Sequence, residues 1–168
     1  MVDMKIALTG HRPERLGLPE DELDYKWDTI NYWIQTTYKQ LHDIDSDIEV
    51  LCGMASGSDI RFGMSLAFIY EVKLHCVLPC KEYNSNHKYY ATLKNVANKW
   101  TELSEEFYRG CDNARDQYMV DNCDVLLAIW DGNKSGGVWS TIRKAKKACK
   151  KIIYCPQEIV TKYQEKLI

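Results

Sequence analysis

The stretch Asp124–Cys155, DVLLAIWDGNKSGGVWSTIRKAKKACKKIIYC, decides the fold. Its first part, Asp124–Trp130, is an almost wholly apolar run of strand length, and the glycine-bearing turn DGNKSGG closes it. From about Gly137, Val138, Ile142, Ala145 and Cys149 recur at three- and four-residue steps with lysines between them. That spacing predicts a helix with one face turned inward. Lys151–Cys155 is strand-like again. Two short buried strands joined by a helix predict a parallel pair with a right-handed crossover.

Three further apolar runs of the same kind precede this unit: Met4–Thr9, Ile48–Cys52 and Lys73–Leu78, each bounded by Gly, Pro, Asp or Asn. Between them lie helical periodicities. Leu23, Trp27, Ile30, Ile34, Thr37 and Leu41 mark one face of a long helix, and Tyr89, Leu93, Val96 and Trp100 mark another. A third helix begins near Asp112 or Asn113 and carries Tyr118 toward Cys123. Strand alternating with helix predicts an α/β fold, a Rossmann-like three-layer sandwich on a mainly parallel sheet of five strands or slightly more. One domain is expected over residues 1–168. The region from Cys80 to Arg109 is longer than a crossover needs and reads as an inserted helix plus an irregular piece. After Pro156 a short terminal helix is expected.

The chain has 168 residues, 45% hydrophobic and 27% charged, with a formal net charge of -2. That balance gives no global attraction to nucleic acid or to anionic lipid. The start, MVDMKIALTGHRP, does not read as a signal peptide, and no apolar stretch nears the about 20 residues of a membrane span. Cysteines number seven. Cys52, Cys76, Cys123 and Cys155 sit in or beside the strand-like runs and read as small buried hydrophobes, not as a disulfide framework. CxxC and HxxxH pairs are lacking, so no structural metal is expected, and the expected setting is the reducing cytosol.

Ligands of such sheets bind beyond the carboxyl ends of the strands, and three loops there carry glycine. In the first, TGHRPERLG, Gly10 permits a sharp turn or a close approach, and His11 and Arg12 project from the strand end. Arg12 offers a fork for phosphate or carboxylate, or is simply a solvated turn residue. The second, CGMASGSD, places Gly53, Ser56 and Gly57 before a helix opening near Ser58. Backbone N–H groups there can line an anion pocket, while Asp59 serves equally as a ligand group or as the first-turn acid of the helix. In the third, Asp131 and Gly132 form a turn; Ser135, Gly136 and Gly137 lead into the last helix, with Ser140 and Thr141 read as its first turn. Trp130 and Trp139 bracket this loop and can stack on a base, although tryptophan at helical spacing is more often core. No GxxxxGK[ST] and no GxGxxG occurs, which argues against P-loop hydrolysis and hydride transfer.

The segments KIALTGHRPERLG, LCGMASGSDIRFG and ARDQYMVDNCDVLLAIWDGNKSGGVWSTIRKA together resemble the SLOG superfamily, and within it the YpsA-like branch. The resemblance implies a Rossmann-like fold related to DprA and to the LOG phosphoribohydrolases. It also implies a role in binding nucleotides or nucleotide-derived signals. SGGVWST looks like the glycine-rich phosphate loop PGGxGT of LOG enzymes, which carries that role over to Gly136, Gly137 and Thr141. Those enzymes place a catalytic glutamate just after the loop. Here Ile142, Arg143 and Lys144 follow instead.

The leading expectation is therefore a binding protein for a nucleotide or nucleotide-derived small molecule, in a sensor or sequestering role, with no cofactor. An alternative is an N-glycosidase or phosphoribohydrolase, since a carboxylate can assist cleavage of an N-glycosidic bond. Asp59, Asp131 and His11 are the candidates for such chemistry; Asp121 comes last because it precedes a strand and reads as a helix-end residue. A second alternative is single-stranded DNA binding of the DprA type. The net charge argues against it, and the lysines of Lys144–Lys151 read as a solvated helix face. No membrane partner is expected. Related folds assemble into oligomers, and Tyr89 or Tyr90, read as exposed, could serve an interface.

Overall fold

The structure, a computed structural model, describes residues 4–69 and 71–164, so the ends of the domain expected over 1–168 lie outside the described residues. Six strands form one sheet: β1 (Met4–Gly10), β2 (Ile48–Cys52), β3 (Lys73–Leu78), β4 (Lys99–Glu102), β5 (Val125–Ile129) and β6 (Lys151–Tyr154). Their order is β4-β3-β2-β1-β5-β6, and every pairing is parallel. The helices are α1 (Pro13–Leu16), α2 (Asp28–Ile44), α3 (Ser58–Leu66), α4 (Tyr90–Val96), α5 (Cys111–Asp121), α6 (Gly136–Lys147) and α7 (Gln157–Val160). Among the described residues, none is long and apolar enough to cross a membrane.

The central strands are buried on both faces, which is why they read as continuous apolar runs. Ile6 and Leu8 of β1 join one core with Trp27, Ile34, Phe62 and Leu93, under α2, α3 and α4. Ala7 points the other way, into a core with Met119, Val120 and Ala145 of α5 and α6. Helices on both faces of a parallel sheet give the three-layer sandwich. The strand order reverses beside β1, whose neighbours are β2 and β5. A crevice opens beyond the strand ends at such a switch point.

Four details differ from the reading of the sequence. Trp100 lies in β4, not on the face of α4, which ends at Val96. This edge strand is half-exposed and carries Lys99 and Glu102, so it lacks the apolar run that marked the others. Leu23 is exposed and precedes α2; Trp27 sits in a single 3-10 turn, Tyr25–Trp27. Cys149 lies past the end of α6, exposed at φ 57, instead of facing inward. Tyr89 and Tyr90 are both buried, so neither offers an interface. The Tyr90 ring packs edge-on against Trp100 at 5.4 Å. Cys52, Cys76, Cys123 and Cys155 are free and buried.

Candidate site at the switch point

A cavity of about 430 Å³ opens at the carboxyl ends of β1, β2 and β5. Arg12, Asp59, Arg115, Asp116 and Gly137 are among its lining residues. The three glycine loops meet here, but they contribute unequally.

From the first loop, Gly10, His11 and Arg12 all reach the cavity. His11 is buried and acts as a clamp: its N–H donates to the Ile129 carbonyl at 3.2 Å, and its carbonyl accepts the Ser58 hydroxyl at 2.7 Å. Its Nε2 accepts the Asp131 N–H at 3.1 Å. Burial holds the imidazole below its ordinary pKa, with the Asp131 carboxylate opposing. Arg12 is different. It is exposed, its Nη2 donates to the Tyr83 hydroxyl at 3.2 Å, and no carboxylate pairs with it among the described residues.

The second loop is largely committed to the protein itself. Gly57 N–H donates to Glu22 Oε2 at 2.7 Å and Ser58 N–H to the His11 carbonyl at 3.2 Å. The start of α3 thus already holds an anion, the Glu22 carboxylate. Gly57 sits at φ +95, and a Cβ there would lie 2.8 Å from Pro13 Cδ. The two loops therefore touch along their backbones at this point. Gly53 is needed for a second close approach: its carbonyl accepts from Arg115 Nη1, and a Cβ would lie 2.7 Å from Asp59 Oδ2. Ser56 turns away to a neighbouring cavity, where its hydroxyl accepts from Asn84 Nδ2 at 3.2 Å.

Asp59 is the one carboxylate of this loop on the cavity. Its Oδ2 accepts the Ala55 N–H at 3.3 Å. Burial raises its pKa to about 6, with Arg115 opposing and the Asp116 charge reinforcing the rise. Arg115 itself is buried beneath the Tyr83 ring, with Nε donating to Asp116 Oδ1 at 2.8 Å.

The third loop reaches the cavity at the start of α6. Ser135 is the N-cap of α6 without a side-chain cap, and Gly137 and Val138 line the cavity. The N–H groups of Gly136, Gly137 and Val138 have no acceptor among the described residues, as the first turn of a helix leaves them. Asp131 is buried and holds the loop in place, accepting from Arg15 Nε at 2.8 Å and Nη2 at 3.0 Å. Burial opposes its ionisation. The Arg15 bonds, the Asn133 N–H and the nearby charges outweigh that, and the carboxyl stays well below the usual range. Gly132 packs toward Gln157, away from the cavity. Ser140 accepts from Lys144 Nζ at 2.9 Å, and buried Thr141 donates to the Gly137 carbonyl at 2.9 Å, more than a turn past the helix start. Trp130 and Trp139 stack on each other at 5.3 Å, with Lys134, Arg143 and Lys146 within 6 Å of the Trp139 ring. A base stacking on Trp139 would have to displace part of this cluster.

Sequence reasoning missed the α5 wall. Asp112, Arg115, Asp116 and Met119 all line the cavity. Their spacing i, i+3, i+4, i+7 puts them on one helical face, and that is the signal that could have found them. Arg15 and Glu14, from the turn after Arg12, also reach the cavity.

An all-parallel sheet between two layers of helices, with a cavity at its switch point, defines a Rossmann-like domain. The particular family is given by a family model described as YspA SLOG family, which matches residues 6–163. The chain belongs to that family, and membership suggests a nucleotide-related function. No curated protein matches the chain.

Proposed function

We propose that the chain binds a nucleotide or nucleotide-derived ligand through its phosphate in the switch-point cavity, as a sensor or sequestering protein. One observation carries this reading: the α6 N-terminus, with its N–H groups unmet, and Arg12, without a carboxylate partner among the described residues, open on the same cavity. Backbone N–H groups and the helix dipole favour an anion there, and the guanidinium can add a charge-assisted fork. The protein's other cations at the cavity are already engaged, Arg15 by Asp131 and Arg115 by Asp116. The cavity volume suits a ligand of nucleotide size.

Calorimetry with a panel of nucleoside mono- and diphosphates tests this. Arg12→Gln should weaken the phosphate-dependent binding by about 10- to 100-fold, the worth of one or two charge-assisted hydrogen bonds. An unchanged affinity would remove Arg12 from the site. Salt-sensitive capture of oligonucleotides in preference to mononucleotides would favour a single-strand binder instead.

A second reading has its own observation. Asp59, with a pKa of about 6, is part-protonated near neutrality and lies on the cavity with Asp112 and Asp116. In N-glycosidic hydrolysis a protonated carboxyl gives its proton to the departing base as water attacks the anomeric carbon. The helix α6 supplies no acid for this, since its sequence GGVWSTIRKAKK contains none. Free base released from nucleoside monophosphates by the native chain but not by Asp59→Asn would establish hydrolysis.

A further inference from the structure

The two ring nitrogens of His11 meet different surroundings. Nε2 accepts the Asp131 N–H at 3.1 Å. With that N–H aimed at it, this nitrogen has no place for a ring hydrogen, because the two hydrogens would meet head-on. Asp131 Oδ1 lies 3.3 Å from the same nitrogen. It already accepts from Arg15 Nη2 and from Asn133 N–H, each at 3.0 Å, so it does not call for the ring's hydrogen. Burial keeps the imidazole neutral at pH 7 by holding it below its ordinary pKa. A neutral imidazole carries one hydrogen, and the bond made by one nitrogen decides that it sits on the other. The hydrogen of His11 is therefore on Nδ1.

Nδ1–H has no acceptor among the described residues. It differs from Glu22 Oε1, Tyr90 Oη and Trp100 Nε1, which are sealed away without partners, in remaining open to water. The residue is only 3% exposed and lines the switch-point cavity, so that cavity is where Nδ1–H opens. The ring is also held in place. Its main chain is tied to the Ile129 carbonyl and, through two bonds, to Ser58. Swinging the imidazole away would leave the Asp131 N–H without its acceptor, at the cost of a lost hydrogen bond. The cavity thus presents a fixed, neutral, unspent donor from the residue next to Arg12.

We propose that His11 Nδ1–H donates to an oxygen of the ligand's phosphate, as a third donor beside the Arg12 guanidinium and the N–H groups at the start of α6. This rests on the phosphate reading above and adds a specificity-determining residue to it. The two side chains contribute differently. Arg12 is exposed and charged, so its share fades as salt is raised. His11 is neutral and already ordered, so its share costs little ordering on binding and persists in salt.

Long-range ¹H–¹⁵N spectra of the imidazoles at pH 7.5, recorded while the full chain is titrated with inorganic phosphate and with adenosine monophosphate, test the proposal. The free protein should show His11 as the Nδ1–H tautomer, and either probe should shift Nδ1. Calorimetry of two variants separates binding from scaffolding. His11→Gln can still offer an oxygen to the Asp131 N–H but has no donor at the Nδ1 position, and should bind both probes about 10-fold more weakly, at low and high salt alike. His11→Asn restores a donor near Nδ1 while giving up the Asp131 contact, and should recover part of that affinity although it melts at a lower temperature than His11→Gln. A histidine that only holds the loops would rank the two variants the same way in affinity and in melting temperature, and that result overturns the proposal. So does an Nε2–H tautomer, or a loss of affinity in Arg12→Gln with none in His11→Gln, either of which leaves the phosphate reading standing. If the native chain binds neither probe, the phosphate reading and the role of His11 fall together.

Discussion

Asp59→Asn should make the protein more stable at neutral pH, because the native carboxylate is held where its charge is unwelcome. Folding moves its pKa from 3.8 to about 6, chiefly through burial. The native state therefore binds a proton more tightly than the unfolded chain, and stability falls as pH rises between about 4 and 6. Two units at about 1.4 kcal/mol each give a ceiling of about 3 kcal/mol. Asparagine keeps an acceptor for the Ala55 N–H and removes the charge, so a gain of about 1–3 kcal/mol is expected at pH 7.5. For a domain of this size that is a rise in Tm of roughly 3–10 °C. Scanning calorimetry of both proteins at pH 4 and pH 7.5 should show the difference only at the higher pH. If Asp59→Asn is the less stable protein at pH 7.5, or if the difference is the same at both pH values, the carboxylate is a stabilising partner of Arg115 and the reasoning fails. A stabilised variant that has lost ligand binding would mark Asp59 as a group kept for function at a cost to the fold.

The opposite sign is expected at Asp131, whose folded pKa is depressed. Its contribution is present above the unfolded value and lost as pH falls toward the folded one. Asp131→Asn should cost about 1–3 kcal/mol at pH 7, less than for a fully buried pair because Arg15 is part-exposed, and denaturant titration should show the deficit closing in acid. Gly57→Ala combines φ +95 with a Cβ 2.8 Å from Pro13 Cδ and 2.9 Å from Arg12 Cα. It should cost about 2 kcal/mol or more. Gly137→Leu meets nothing within 4 Å at its Cβ, so thermal melts should find stability within about 0.5 kcal/mol of native, while calorimetry finds phosphate binding impaired.

The strands β1, β2, β3, β5 and β6 were legible because a parallel strand covered on both faces must be apolar at nearly every position. Edge strand β4 obeys no such demand. With Lys99 and Glu102 exposed and Trp100 its lone large apolar residue, KWTE carries no period of its own. Trp100 happens to follow Leu93 and Val96 at helical steps, so the helical pattern absorbed it. Cys149 was misplaced for the same reason: its spacing continues α6, but the chain has already left the helix through Ala148.

The site shows a different kind of limit. CGMASGSD and DGNKSGGV are both glycine loops before helices; the second is the more specific signal, but local sequence does not show which helix start the protein itself has already filled. What separates them is a carboxylate 35 residues away in the chain: Glu22 fills the start of α3, while among the described residues nothing comparable reaches the start of α6. An N-terminus occupied by the protein's own carboxylate is lost to phosphate, since the two anions would compete for the same N–H groups. Replacing Glu22 by Gln leaves that position filled by a neutral acceptor. The open anion position should therefore stay at α6 in that variant, with Arg12 still deciding its affinity.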